Sequence, residues 1–381
     1  MDEYFYADDY FANDYFFEEE IYEGTNALLQ QGQISVVKET AAMDLTLPLY
    51  ALALVVAFAA GILLMHGLCR KKGLKGTTAL NFALLALPLG LMGARLFYVI
   101  NRLDMFQEIG LQHITNLWFG GYALWGAIGG GVLAALLCAW ITKQKFSRIM
   151  DAAAAPTALV IGLARLAEYF NGEGVGMMIE NKSLQFFPLA VRTVCEMWEG
   201  VVEYEEWRLA VFVLEALAAF IILLVLLRTR EEDGRQTKVF FILFCTVSLV
   251  LESIREDSYL RWQTLFVKVN QLTSALVLTG ITGYCINNAM RNALKPMRTI
   301  EMEKTTTVQA GVKLLKTVFG LARFVLCIVL YVLLAGICIG MEFALQKLHW
   351  LPNWACYVIM TLSAAGIGLC AWQLIFPRKS E

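Results

Sequence analysis

The sequence predicts an all-α integral membrane protein, a polytopic bundle of about nine transmembrane helices with the N-terminus on the outer side. Three observations carry this. Of the 381 residues, 58% are hydrophobic and 17% charged, against roughly 45–50% apolar and about 25% charged in an average soluble domain. The apolar residues are bunched into runs of about 20, the length that crosses a hydrocarbon core. Lysine and arginine fall in alternate connections between the runs, the pattern that fixes orientation in a bilayer. A net charge of -2 with a mean hydropathy of +0.59 argues against a nucleic-acid partner, which needs a basic face.

Residues 1–45 form an acidic aromatic tail: the first 23 hold nine acids and nine aromatics with no basic residue. A secretory signal would begin with positive charge followed by an apolar stretch, so this segment reads as a disordered or interfacial tail left on the outer side. The predicted spans are 47–69, 78–100, 117–142, 152–170, 209–227, 239–254, 266–286, 317–345 and 354–376. Basic residues follow spans one, three, five, seven and nine: Arg70-Lys71-Lys72 with Lys75; Lys143, Lys145 and Arg148; Arg228, Arg230, Arg235 and Lys238; Arg291 through Lys316; Arg378-Lys379. These connections are assigned to the cytoplasm. The connection 171–208 contains Trp198, Tyr204 and Trp207 among seven glutamates, and reads as a small outer cap lying partly on the membrane surface. Residues 46–287 therefore form a seven-span core, 288–316 a basic cytoplasmic linker with a TTT tract at 305–307, and 317–381 a two-span hairpin whose odd charges are Arg323 and Glu342.

The nine cysteines stand singly at 69, 138, 195, 245, 285, 327, 338, 356 and 370, without a CxxC pair. They read as small buried hydrophobes. His66, His113 and His349 show no zinc spacing, so neither a metal nor a cofactor is expected.

Charges inside the spans carry the functional signal, because an arginine at the centre of a span costs about 2.5–3.5 kcal/mol on insertion scales. Arg95 lies near the outer end of span two, Arg165 and Glu168 in span four, Glu215 in span five, and Glu252 with Arg255 at the end of span six. All three arginines lie toward the outer half. An internal ion-pair network is one reading, since Arg165/Glu168 and Glu252/Arg255 are both i, i+3 pairs. The other is an anion site. A guanidinium fork suits a phosphodiester and keeps its charge in low dielectric, and a phosphate embedded in a membrane belongs to a phospholipid. Gly126 and Gly130 have the GxxxG spacing of close helix packing. Gly172, Gly174 and Gly176 alternate just after the arginine helix, where backbone amides can turn toward an anion.

These residues, taken in order, resemble the prolipoprotein diacylglyceryl transferase family. The resemblance runs through Gly93-Ala94-Arg95-Leu96-Phe97-Tyr98-Val99, Gly120-Gly121 to Gly130, Asp151 to Pro156, Arg165 to Gly176, Arg255-Glu256-Asp257 and Gln271 to Ser274. It covers roughly residues 45–287, and its most specific part is Arg165 followed by Tyr169-Phe170-Asn171-Gly172-Glu173. The resemblance implies an enzyme of the bacterial inner membrane. Such an enzyme moves the diacylglyceryl group of phosphatidylglycerol to the lipobox cysteine of a secreted prolipoprotein. It also implies phosphate contacts from Arg165 and Arg255, a headgroup or substrate contact from Tyr50, support from Arg95 and Glu173, and a polar contact from Gln271. Tyr98, Asn171, Gly172 and Gly176 join the expected phospholipid-binding set. Trp125 stands where the family has histidine or tyrosine, and Glu168 where it has asparagine. The family's His-Pro stretch before span five is absent, Leu209-Ala210 standing there, and spans eight and nine have no counterpart. An indole donates a hydrogen bond but takes no proton, so Glu168 or Glu173 is the expected base. The alternative is a catalytically degenerate phospholipid-binding paralogue. A transporter is a third class, but the chain shows no internal inverted repeat.

Overall fold

The computed structural model describes residues 46–103, 106–107, 110–115, 121–197, 202–230, 232–255, 261–262, 267–300, 325–326, 328–337, 341 and 353–375. The acidic tail, Gly120, Trp198, Glu256-Asp257, the TTT tract, Arg323, Glu342, His349 and Arg378-Lys379 lie outside the described residues. Among those described, six helices are long and apolar enough to cross a membrane. They are α1 (Thr46–Lys71, its apolar span counted from Pro48), α2 (Thr78–Asn101), α3 (Leu124–Thr142), α4 (Phe146–Asn171), α5 (Val211–Arg228) and α6 (Arg235–Ile254). Three more follow, α7 (Val269–Ile300), the short apolar α8 (Ile328–Ile337) and α9 (Asn353–Ile375). The protein is thus a mostly helical, multi-pass membrane protein.

The largest difference from the sequence reading is at the end of α7, which runs to Ile300 rather than 286, so the first part of the linker placed at 288–316 is helical. The third helix begins at Leu124, since Gly121 has φ +73° and Ala123 is extended, and residues 117–120 of the predicted span lie outside the described residues. The fourth begins at Phe146 rather than 152. Its first turns carry Arg148 and Asp151, which an apolar-run count excludes although they sit at the helix start.

Helix α2 packs most extensively on α3, α1 on α4, α4 on α5, and α6 on α7. Between α2 and α3 the backbones touch: a Cβ at Gly126 would run into Gly93 O, and one at Gly130 into Leu89 O. This is the close approach that the GxxxG spacing implies. Trp125, Ala154, Ala158, Ile161, Ala219, Ile222, Phe240, Phe244 and Leu278 form the main core, and Ile367 and Ala371 of α9 join it. The C-terminal segment therefore packs onto α6 and α7.

One end of the bundle gathers the basic connections. Lys75 Nζ donates to Thr142 O (2.8 Å) and Lys72 Nζ to Gln236 Oε1 (2.8 Å). Buried Asp151 accepts from Gly234 N (2.6 Å), Thr237 N (2.9 Å) and Thr237 Oγ1 (2.7 Å), so α4 supplies the N-terminal cap of α6. In the adjacent loop a hydrogen bond from Arg148 holds the exposed Asp233 carboxyl below the usual carboxylate range.

The opposite end carries a cap built mainly on strands, with a short 3-10 turn at Lys182–Leu184. Strands β1 (Val175–Met178), β2 (Ala190–Met197) and β3 (Val202–Ala210) form an antiparallel sheet in the order β1-β3-β2, with Ala190 opposite Leu209 and Met197 opposite Val202. The all-helical expectation holds for the spans and not here. Valine, threonine, tyrosine and tryptophan favour a pleated surface, a signal diluted in the sequence by the interspersed glutamates. A two-residue pair, β4 (Arg261–Trp262) with β5 (Val267–Lys268), follows α6.

Candidate functional site at the cap end of the bundle

Three helix ends bring four charged side chains together. Arg165 and Glu168 share one face of α4 near its C-terminus, Glu215 lies in the first turns of α5, and Arg255 terminates α6. Arg165 Nη1 bonds Glu168 Oε1, and its Nε stands 2.9 Å from Glu215 Oε2. Arg255 Nη2 lies 3.9 Å from Glu168 Oε2, and its Nη1 lies 3.7 Å from Glu215 Oε2. The result is an alternating ring of two guanidiniums and two carboxylates, each side chain only 10–15% exposed. Alternation is what makes the burial tolerable, since an unpaired charge in low dielectric costs several kcal/mol. Arg165 is tightly held by both acids. Arg255 is attracted to the same acids but stands beyond hydrogen-bond length from them.

The backbone around the ring depends on the glycine alternation. Gly172, at φ +70°, ends α4, and its amide and that of Glu173 both donate to Glu168 O. Those two amides close the helix, so the anion nest anticipated from the spacing is not built from them. Gly174 has φ +76°, and a Cβ there would lie 2.5 Å from Glu168 Oε2 and 2.6 Å from Phe212 Cβ. Gly176 pairs with Arg255 through an antiparallel bridge, where a Cβ would come 2.9 Å from Ile254 O. The last two glycines let β1 approach the charged ring and the end of α6.

Beside the ring is a small, partly open cleft with a cavity of about 40 Å³. Its polar end is formed by Arg165, Glu215, Glu252 and Asn270, and its apolar wall by residues including Trp125, Ile161, Ile222 and Phe244. Trp125 is buried with its ring edge-on to Phe244, centroids 5.5 Å apart. Glu252 is buried and accepts from Asn270 Nδ2 at 3.0 Å. Charge at one end and hydrocarbon along the other give the cleft an amphipathic lining. Among the described residues no group of three or more His, Cys, Asp or Glu side chains is arranged to hold a metal ion.

The other residues singled out in the sequence are placed as follows. Tyr50, on α1, is within electrostatic reach of Glu173, Glu168 and Arg165. Gln271 is buried and donates to Ser253 Oγ (2.7 Å), tying α7 to α6. Arg95 is buried and donates to His113 O (2.8 Å), Ile114 O (3.2 Å) and Gly121 O (3.3 Å), with its guanidinium over Phe106 at 5.2 Å. Tyr98 packs edge-on to the same Phe106. Arg95 and Tyr98 thus hold the connection between α2 and α3, and Asn171 ends α4 exposed. Glu215 was visible in the sequence as an acid in an apolar run, but its contact with both arginines was not. Lys268 and Asn270 fell inside the predicted span 266–286 but were not singled out, because they stand at its polar start where a charge can reach the interface.

Comparison with known proteins places this arrangement in a family context. The family described as prolipoprotein diacylglyceryl transferase matches residues 40–286. A phosphatidylglycerol–prolipoprotein diacylglyceryl transferase of Frankia alni is 31% identical over 235 residues, which is 61% of this chain and 60% of that protein. Its namesake in Listeria monocytogenes is 25% identical over 245 residues, covering 64% of this chain and 86% of the relative. That of Thermotoga maritima is 30% identical over 217 residues, 55% of this chain and 69% of the relative.

Proposed function

Because the chain belongs to the prolipoprotein diacylglyceryl transferase family, we propose that it transfers the diacylglyceryl group of phosphatidylglycerol to the lipobox cysteine of secreted prolipoproteins. The proposal places it in the bacterial inner membrane with nine spans and the N-terminus outside. The relatives' names supply the substrates, and the ring of Arg165 and Arg255 beside an amphipathic cleft is the observation that supports this chemistry.

In the reaction the cysteine sulfur forms a bond to the terminal glyceryl carbon while the bond from that carbon to the phosphate oxygen breaks. The electron pair leaves with glycerol phosphate, and the thiol proton must be removed. Charge collects on the departing phosphate, and donors already fixed in a dry site stabilise it without reorganising. Arg255 is one guanidinium we assign to the phosphate, since it stands in the ring beside the cleft, facing both acids. Arg165, clamped by Glu168 and Glu215, is the second donor and the fixed reference of the site. Glu168 or Glu173 takes the thiol proton, an undemanding task for a thiol with a pKa near 8.5. The apolar wall, including Trp125, receives acyl chains and excludes water. Tyr50, Asn171 and Gly172 border the headgroup region. Arg95, Tyr98, Gly176 and Gln271 hold the surrounding backbone in place. The chemistry requires no cofactor.

The test is expression in bacterial cells depleted of their own transferase, following conversion of a prolipoprotein. Conversion is expected. Its absence at good membrane expression would contradict the proposal.

A further inference from the structure

Lys268 is the one lysine buried to 4% among the described residues, and none of the chemistry above uses it. A buried ammonium is costly unless its donors are used. Here they are: Nζ donates to Glu252 O at 2.6 Å and to Arg255 O. Both carbonyls belong to the end of α6, where a helix leaves its last acceptors without intrahelical partners and carries partial negative charge. The β4–β5 pair, with Arg261 opposite Lys268, returns the chain to this point.

Arg255 itself is the residue at which α6 stops. Its φ of -74° and ψ of 125° are extended, while its amide still donates to Leu251 O at 3.2 Å. On one side its backbone bridges Gly176, and Lys268 holds its carbonyl. The direction in which the Arg255 side chain leaves the helix is therefore set by three backbone restraints, and Lys268 alone supplies one of them through a side chain.

We propose that Lys268 is a positioning residue for Arg255, clamping the last turn of α6 so that the guanidinium points into the charged ring. The proposal rests on the reading of Arg255 as a phosphate donor. A lysine that merely stabilised the helix end would also lower stability when removed, but its loss would not depend on whether Arg255 is present.

A double-mutant cycle separates the two roles. The protein is reconstituted in nanodiscs, and displacement of a fluorescent phosphatidylglycerol by unlabelled phosphatidylglycerol is measured for the wild type, Lys268→Met, Arg255→Gln and the double variant. Lys268→Met is expected to weaken binding about tenfold, the scale of losing hydrogen bonds to a charged donor. The double variant is expected to bind no more weakly than Arg255→Gln, and Lys268→Arg to restore binding to within about threefold. Losses that add in full in the double variant, or wild-type affinity in Lys268→Met, would overturn the proposal. If the methionine variant does not fold, Lys268→Gln carries the same cycle. Absence of transfer by the wild type counts against the transferase reading and leaves the binding cycle intact. Binding indifferent to Arg255→Gln removes the premise and the proposal together.

Discussion

At the scale of single residues, the site is defined by which acid holds which arginine. Glu215 meets Arg165 at 2.9 Å and lies 3.7 Å from Arg255, so its removal takes from two buried guanidiniums one of the ring's two carboxylates. Glu215→Ala is expected to destabilise the protein by about 3–5 kcal/mol, the cost of breaking a buried pair, read as a lowered thermal midpoint in detergent. Arg165→Ala and Arg255→Ala are expected to cost at least about a hundredfold in transfer, as for loss of a preorganised transition-state donor. Unchanged turnover in either variant would make the arginines structural. The arginines, Glu168 and Glu215 were legible as charges in apolar runs. Their pairing was not, because i, i+3 spacing suggested two separate pairs, Arg165/Glu168 and Glu252/Arg255. The fold instead carries Arg255 to the acids of α4 and α5 and gives the Glu252 side chain to Asn270.

At the scale of elements, helix spacing and helix ends are fixed by a few side chains of opposite size. Gly126 and Gly130 let α3 lie against the backbone of α2, and Gly126→Leu is expected to cost about 3 kcal/mol through overpacking. Loss of folded protein in size-exclusion profiles would report it, and a normal profile would contradict the packing described. Asp151 caps α6 from α4 through three hydrogen bonds. Asp151→Ala is accordingly expected to lower stability by about 1–2 kcal/mol, with little effect on transfer because the cap lies at the basic end. The starts of most spans were readable from apolar runs to within a few residues, except where Arg148 and Asp151 hid the start of α4, and the end of α7 at Ile300 lies well past the 286 that the apolar run suggested. The segment 171–208 was readable as a small outer cap on the membrane surface, but its sheet was not, because the glutamates interrupt the apolar alternation by which strands are recognised.

For the whole molecule, charge sorts the two ends. The connections 72–77, 143–145 and 229–234, the last flanked by Arg228, Arg235 and Lys238, are knitted together at one end, and the ring, cleft and sheet occupy the other. Cysteines introduced at Asp233 and Ser183 are expected to react with an impermeant reagent from opposite faces of sealed vesicles, Asp233→Cys from the cytoplasmic face. Labelling from the same face would break the topology. The packing of α9 on α6 and α7 makes the C-terminal segment part of the bundle, a feature invisible to a sequence reading that saw only an appended hairpin.

The central claim, that the charged ring binds the phosphate during diacylglyceryl transfer, is most directly tested with purified protein, a lipobox-cysteine peptide and phosphatidylglycerol, the peptide mass being followed over time. The account predicts a diacylglyceryl mass increase with the wild type and a rate at least about a hundredfold lower with Arg255→Ala. An unmodified peptide with folded wild-type protein, or equal rates in the two proteins, would contradict it.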